Sequence, residues 1–420
     1  MINSGRAVLE SNASYGMMSP GSLTFSARYK LEGDDMRFRS RRMSVGATAI
    51  AIVCLLSVAI AAGGQAGPQP QKPALTDEVF KNVVLLKGIP VDTFFESMGM
   101  FANAMGDDCT FCHDKRAYFD KSLFANPTPR IMRARQMIVM MNAINKQYFG
   151  GEPRVTCTTC HGGNNLPRNI PNLALQYGPL VEDPNAMEIV PDPRSSADQL
   201  FEKYLTAIGG TDRLAKVSSF VAKGTYTGFD TAFVEIPVEI YSRAPAQLSM
   251  IVRTFNGDSV RTFDGLSGWM AGPDTPMPLV TLSSGNLQRA KLEAMLWFPT
   301  PVRQAFPEWR VGLAVLGDSD VQVVQGLIGG QPQANFYFGG DGLLLRVVTW
   351  TRTPVGIIPT QIDYRDYREV AGVKIPFGRT VSQTYMQMIL KLTDVQPNAQ
   401  IDASRFAQPK PGAGAIRQAQ

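Results

Sequence analysis

Cys109-Thr110-Phe111-Cys112-His113 is followed 48 residues later by Cys157-Thr158-Thr159-Cys160-His161. The two pentapeptides use four of the chain's five cysteines and both of its histidines. C-x-x-C-H is the attachment spacing of a c-type haem: two thiols add to two vinyl groups, and the adjoining imidazole reaches the iron from one face. Other chemistries of paired cysteines account for less. A thioredoxin-like C-x-x-C would not come twice, each copy followed by one of the chain's only histidines. A Cys₄ zinc site leaves both histidines unexplained. A disulfide inside C-x-x-C is catalytic more often than structural. The motifs therefore imply two covalent haems, held through Cys109, Cys112, Cys157 and Cys160, with His113 and His161 as proximal iron ligands.

With both histidines spent, the distal ligands fall to methionine, of which the chain has 19. Phe94, Met98, Phe101 and Met105 recur at helical spacing before the first motif, with Val91-Asp92 as the helix start. Met137, Met141, Ile144 and Tyr148 form a similar stripe in 130–148, a segment without Gly or Pro. Such stripes are core more often than ligand, and a buried porphyrin would itself demand them. Spacing alone leaves Met98 open against Met100 and Met105, and Met137 against Met140 and Met141.

The segment from Val83 to about Pro179 resembles half of the cytochrome c subunit of photosynthetic reaction centres. Three stretches carry the resemblance. Val84-Leu85-Leu86-Lys87-Gly88-Ile89-Pro90-Val91 leads to Phe94-x-x-x-Met98 and closes on the first motif. Arg133-x-Arg135-x-Met137-x-x-Met140 runs into Ala143-Ile144-Asn145-Lys146. Val155-Thr156 opens the second motif, and Gly162-Gly163 follows it. The resemblance implies a mainly helical dihaem domain in which Met98 is the sixth ligand of the haem at His113 and Met137 that of the haem at His161. It also implies outer-sphere, one-electron transfer with redox proteins, a membrane complex such as a reaction centre among them. The chain departs from the family in having two motifs instead of four and no spare histidine for a bis-His haem. Enzymatic turnover is not expected, because no free histidine remains as a distal acid or base. Glu96 and Asp107 are the remaining nominees, and acids beside a haem edge are usually solvated.

Upstream, Arg37, Arg39, Arg41 and Arg42 precede an apolar run at 45–62, then small residues to Ala66. This is the pattern of an export signal, and the run is also long enough to act as an anchor. Both outcomes place the motifs in the periplasm, where c-type haem is matured. Cys54 lies inside the run and leaves with a cleaved leader. The first 35 residues lack targeting character, so the chain is expected to start at Met36 or Met43. Removing 1–66 takes away seven basic and four acidic residues, and the formal charge of +5 drops to about +2. No nucleic-acid footprint follows from that balance.

A length of 420 residues exceeds one compact core. At 44% hydrophobic and 18% charged, the chain is neither disordered nor polytopic. A linker at 67–78 leads to the dihaem domain at 79–182, and Pro-rich 183–194 marks a second linker. Ser195-Ser196 then caps a short helix carrying Leu200, Phe201, Tyr204, Leu205 and Ile208, ended by Gly209-Gly210. From Val217 the pattern is of strands: Val234, Ile236, Val238 and Ile240 alternate, and Asp264-Gly265 and Asp341-Gly342 make hairpin turns. Hairpins without long intervening helices predict an antiparallel sheet or half-barrel over 195–408, followed by a disordered tail at 409–420. The fold class is thus multidomain α + β. Asp363-Tyr364-Arg365-Asp366-Tyr367-Arg368-Glu369-Val370-Ala371-Gly372-Val373-Lys374-Ile375-Pro376-Phe377 resembles bacterial envelope proteins with a lipoprotein-carrier-like β fold. The resemblance implies a docking or scaffolding module for an envelope protein, or a lipid carrier with an apolar concave face. In an alternative reading the chain is a redox sensor whose haems report their state to the β domain.

Overall fold

The computed structural model describes residues 69–411, except 168, 172, 174–177, 179–189, 192, 193, 274 and 276. The expected leader with its apolar run and Cys54, the tail from 412 and most of the linker expected at 183–194 lie outside these residues.

The haem-motif segment is built from three helices, α1 (Val91–Met105), α2 (Pro129–Tyr148) and α3 (Cys157–His161), with 3₁₀ turns between α1 and α2. α1 ends at Gly106, whose φ of 66° is open to glycine at no steric cost. α2 begins at Thr128, whose hydroxyl accepts from the Ile131 amide at 3.2 Å, with Pro129 in the first turn where no amide is needed.

Beyond it, α4 (Ala197–Ala207) starts as expected at Ser196, which accepts from Gln199 N, and Gln199 answers to the Ser196 amide at 3.0 Å. Leu200, Phe201, Tyr204, Leu205 and Ile208 are all buried, Phe201 edge-on against Trp309, Phe336 and Phe338.

The strands are β1 (Val190–Pro191), β2 (Ser219–Gly228), β3 (Ile236–Arg243), β4 (Gln247–Thr254), β5 (Gly257–Phe263), β6 (Gly268–Ala271) and β7 (Leu279–Thr281). After α5 (Ser284–Met295) come β8 (Glu308–Leu316), β9 (Ser319–Ile328), β10 (Gln331–Phe338), β11 (Leu344–Thr353), β12 (Gly356–Val370), β13 (Val373–Ser382) and β14 (Gln387–Pro397). All pair antiparallel in one sheet, β1-β8-β9-β10-β11-β12-β13-β14-β2-β3-β4-β5-β6-β7. The last strand returns beside β2, so the two hairpin runs join through the end of the chain. The Asp-Gly turns fall between β5 and β6 and between β10 and β11, where Asp264 and Asp341 accept from the amides two residues on.

Three local expectations are corrected. The alternation begins at Ile236 and not at Val234, which stays half exposed ahead of β3. α5 is a helix of 12 residues within the expected run of hairpins. Its polar residues Asn286 and Arg289 are buried, so no clean apolar stripe announced it. The linker expected at 183–194 contributes an edge strand, Val190 opposite Leu313.

The main core lies between the sheet, α4 and the end of α5. A second core crosses the boundary expected between the domains: Leu86, Met100, Ile138 and Met141 pack with Val355 and Ile358 of the β11–β12 hairpin. The described residues fall in one compact unit.

Candidate haem-attachment site

The first motif is a 3₁₀ turn, Cys109–Phe111, capped by Asp108, which accepts from the Thr110 amide at 2.7 Å. It is held to the start of α2. Thr128 Oγ1 donates to the Cys112 carbonyl at 2.6 Å, and Arg130 donates to the Phe111 carbonyl at 2.6 Å. The Arg130 guanidinium also lies 4.0 Å from the centre of the Phe111 ring. The His113 imidazole stands edge-on to Phe124 with centroids 5.0 Å apart. Its Nδ1 is buried without a hydrogen-bond partner, and burial holds its pKa below the usual histidine value.

The second motif is α3. Thr159 Oγ1 accepts from the Thr156 amide at 3.0 Å, and Gly162 ends the turn at a φ of 54°. It is held to the far end of α2 by Asn145, whose amide donates to the Val155 carbonyl at 2.7 Å and accepts from the Val155 amide at 2.9 Å. It is also held to α1. The Gly163 amide donates to the Ala104 carbonyl at 3.0 Å, and Thr158 Oγ1 donates to the Met100 sulfur at 3.5 Å. The approach is close: a Cβ on Gly106 would stand 2.2 Å from the Gly163 oxygen. α2 is thus a strut with one motif at each end. From Thr128 to Asn145 it spans about 26 Å at about 1.5 Å per residue.

The donor set fits covalent haem. His161 Nδ1 donates to the Asn164 carbonyl at 3.0 Å, which orients the ring and leaves Nε2 as the nitrogen available to a metal. Burial pushes the Cys109 and Cys112 thiols up and takes that of Cys157 to about 11, opposite to the lowered pKa of a redox-active C-x-x-C. All four cysteines are free. Among the described residues no three His, Cys, Asp or Glu side chains gather as a metal cage, which disfavours the Cys₄ alternative. Among the described residues, several apolar side chains of the haem-motif segment are exposed: Tyr118, Phe119, Val139, Met140 and Leu166, Phe119 at 94%. A porphyrin is an apolar surface of the kind such a patch receives.

Among the methionines, Met100 and Met141 are buried in the core shared with the β11–β12 hairpin, Met98 and Met137 are half buried, and Met140 is exposed. Phe94, Met98, Phe101 and Met105 all lie on partly exposed ground. The buried residues of α1 are of both kinds: the polar Asp92, Thr93, Glu96 and Ser97 beside Val91, Gly99, Met100 and Ala104, while Phe94, Met98 and Phe101 pack partly buried against the core of Met100 and Met141. Glu96 is therefore not a solvated acid. It lies 3.7 Å from Arg289, both side chains inaccessible, and burial raises its pKa while Arg289 opposes the shift. Asp107 remains exposed. The partners of Asp92 and Glu96 lie some 190 residues away, and no local signal announces them.

A helix-held pair of C-x-x-C-H motifs, each fastened to α2, is what a comparison with known proteins has to explain. Residues 58–186 match the family model for the photosynthetic reaction centre cytochrome C subunit. The photosynthetic reaction center cytochrome c subunit of Roseobacter denitrificans is 29% identical over 21% of this chain. The chain spans only 29% of that protein's length. Over these residues the chain is thus similar to a c-type cytochrome family. Among solved structures, a LolA superfamily protein from Nitrosomonas europaea matches 51% of this chain and 98% of its own at 11% identity, with a TM-score of 0.33. A DUF1329 family protein from Desulfovibrio piger matches 50% and 96% at 8% identity, with a TM-score of 0.34. No helix of the described residues is long and apolar enough to cross a membrane.

Proposed function

We propose that the chain is an exported dihaem c-type cytochrome that passes single electrons between redox proteins of the cell envelope. The observation that carries the reading is the second motif, where one short turn presents Cys157, Cys160 and an imidazole whose Nδ1 is committed to the Asn164 carbonyl. Cys109 and Cys112 would hold one haem, with His113 and Met98 to bind its iron, and Cys157 and Cys160 would hold the other, with His161 and Met137. Bound haem supplies the one-electron couple. The protein anchors each motif to α2 and presents sulfur, which raises the potential relative to two imidazoles. Burial of Met100 and Met141 in a packed core, the former already engaged by Thr158, favours Met98 and Met137 as the sulfurs free to ligate. The chain acts as a carrier and not as an enzyme. The donor and acceptor are redox proteins, with a reaction centre as one candidate, and the compartment is the periplasm.

The test is a pyridine haemochrome count on the mature protein, expected at two covalent haems per chain. Any other value overturns the reading. Met98→Ala and Met137→Ala should each remove the near-infrared charge-transfer band of one haem, and an unchanged spectrum in both overturns the ligand set.

For the β domain the docking or scaffolding reading is the stronger. A lipid carrier needs an internal volume of several hundred Å³. The cavity inside the sheet, lined by Ile240, Met250, Phe263, Leu390, Arg261 and Glu293 among others, is about 50 Å³. That is room for a few waters and not for an acyl chain.

A further inference from the structure

We propose that the β domain is the mount of the axial-ligand helix, with Asp92 and Ser283 as positioning residues for the Met98 sulfur. The inference deepens the reading above and rests on it.

Asp92, in the first turn of α1, is 1% exposed. Its carboxylate accepts from the Ser283 amide at 2.7 Å, from Ser283 Oγ at 2.6 Å and from Asn286 Nδ2 at 3.1 Å. Ser283 is the N-cap of α5, so Asp92 places its negative charge at the positive end of a helix of the β domain. One turn on, Glu96 meets Arg289 of α5, and Arg289 Nη1 donates to Thr360 of β12 at 2.6 Å. Another turn on, the backbone of Gly99 lies against the β13–β14 loop, where a Cβ would come within 2.5 Å of the Tyr385 ring. Three successive turns of α1 are thereby fixed to three different elements of the β domain: α5, its link to β12, and a hairpin tip.

The direction of this clamp matters. At about 100° per residue, Met98 is about 200° around the helix from Glu96 and about 240° from Asp92. Met98 is thus turned about 120° to 160° away from the two clamping acids on the same helix. α1 is held from behind, and rotation or translation against the sheet would carry the sulfur with it. Charge-assisted bonds from three donors in a buried contact resist that motion more than apolar packing, which permits sliding. A weak Fe–S bond gains from such pre-organisation, because the ligand stays in place without the iron ordering it.

The test compares mature holoprotein carrying Asp92→Asn, Ser283→Ala or Ser283→Thr, with Met98→Ala alongside. Asp92→Asn keeps the shape and removes the charge; Ser283→Ala removes one donor and is the milder change should the first fail to fold. The expected result is an unchanged haem count, a loss of charge-transfer amplitude and a fall in the midpoint potential of one haem only. Ser283→Thr, which retains the hydroxyl, should restore both. Unchanged potentials in folded Asp92→Asn or Ser283→Ala overturn the proposal, as do equal falls at both haems, which would mark general loosening. An intact band in Met98→Ala overturns the ligand assignment and the mount together, whereas a haem count other than two sinks the functional reading itself.

Discussion

Asp92 shows how much one carboxylate depends on a distant segment. Burial pushes its pKa above the usual value of 3.8, while the bonds from Ser283 and Asn286 act in the opposite direction without cancelling the rise. The folded chain therefore holds this proton more tightly than the unfolded chain. Stability from protonation is present at the low end of the window, near 3.8, and fades as pH rises through the raised folded value. Asp92→Asn lacks this slope. Urea unfolding between pH 7 and pH 4 should show wild type gaining on Asp92→Asn as pH falls, at up to about 1.4 kcal/mol per pH unit inside the window. A difference that stays flat or moves the other way contradicts the raised pKa. The cysteines and histidines were legible without a structure because attachment chemistry confines all its atoms to five consecutive residues. Asp92 and Glu96 were not, because a helix-start acid and a clamping acid look alike until Ser283 and Arg289 stand opposite them.

α1 has the period that its residues predict. Phe94, Met98 and Phe101 of its stripe pack partly buried against the core of Leu86, Met100, Ile138 and Met141, and the polar Asp92, Thr93, Glu96 and Ser97 are buried as well. Periodicity measures where apolar residues lie and not which partner covers them. The strands were legible where one face meets the core, as in β3, whose Ile236, Val238 and Ile240 point inward. α5 escaped because its inward positions include Asn286 and Arg289, chosen for α1 and not for an apolar core. The junction of α1 with the second motif gives a sharp test. Gly106→Ala meets both a left-handed backbone and the Gly163 oxygen at 2.2 Å. It should cost about 2 kcal/mol or more, read by urea unfolding, and loosen the Gly163–Ala104 bond. A cost below about 0.5 kcal/mol would mean that the contact yields freely.

At the scale of the molecule, the sequence pattern predicts two architectures in one chain, and the structure holds a large antiparallel sheet with a few helices ahead of it. Their union was hidden, since a boundary drawn at a Pro-rich stretch assumes that each side buries its own core. Met100, Ile138 and Met141 bury theirs against Val355 and Ile358. The haem absorbance and the far-ultraviolet dichroism of the sheet should accordingly lose their native values in one coincident thermal transition. Two separated transitions would show that the segments fold independently. A redox sensor reading is best examined with point variants at the clamp, because deleting the β domain strips α1 of every partner it has there.

The clamp also sets an order of events. Asp92 waits for Ser283 and Asn286, which lie 191 and 194 positions later in the chain. At a synthesis rate of about 5–20 residues per second, that interval lasts about 10–40 s. For the last 122 residues of it, from His161 to Ser283, or about 6–24 s, both C-x-x-C-H motifs exist while α1 still lacks its seat. Docking of the sheet then comes last, and would close around any cofactor already attached.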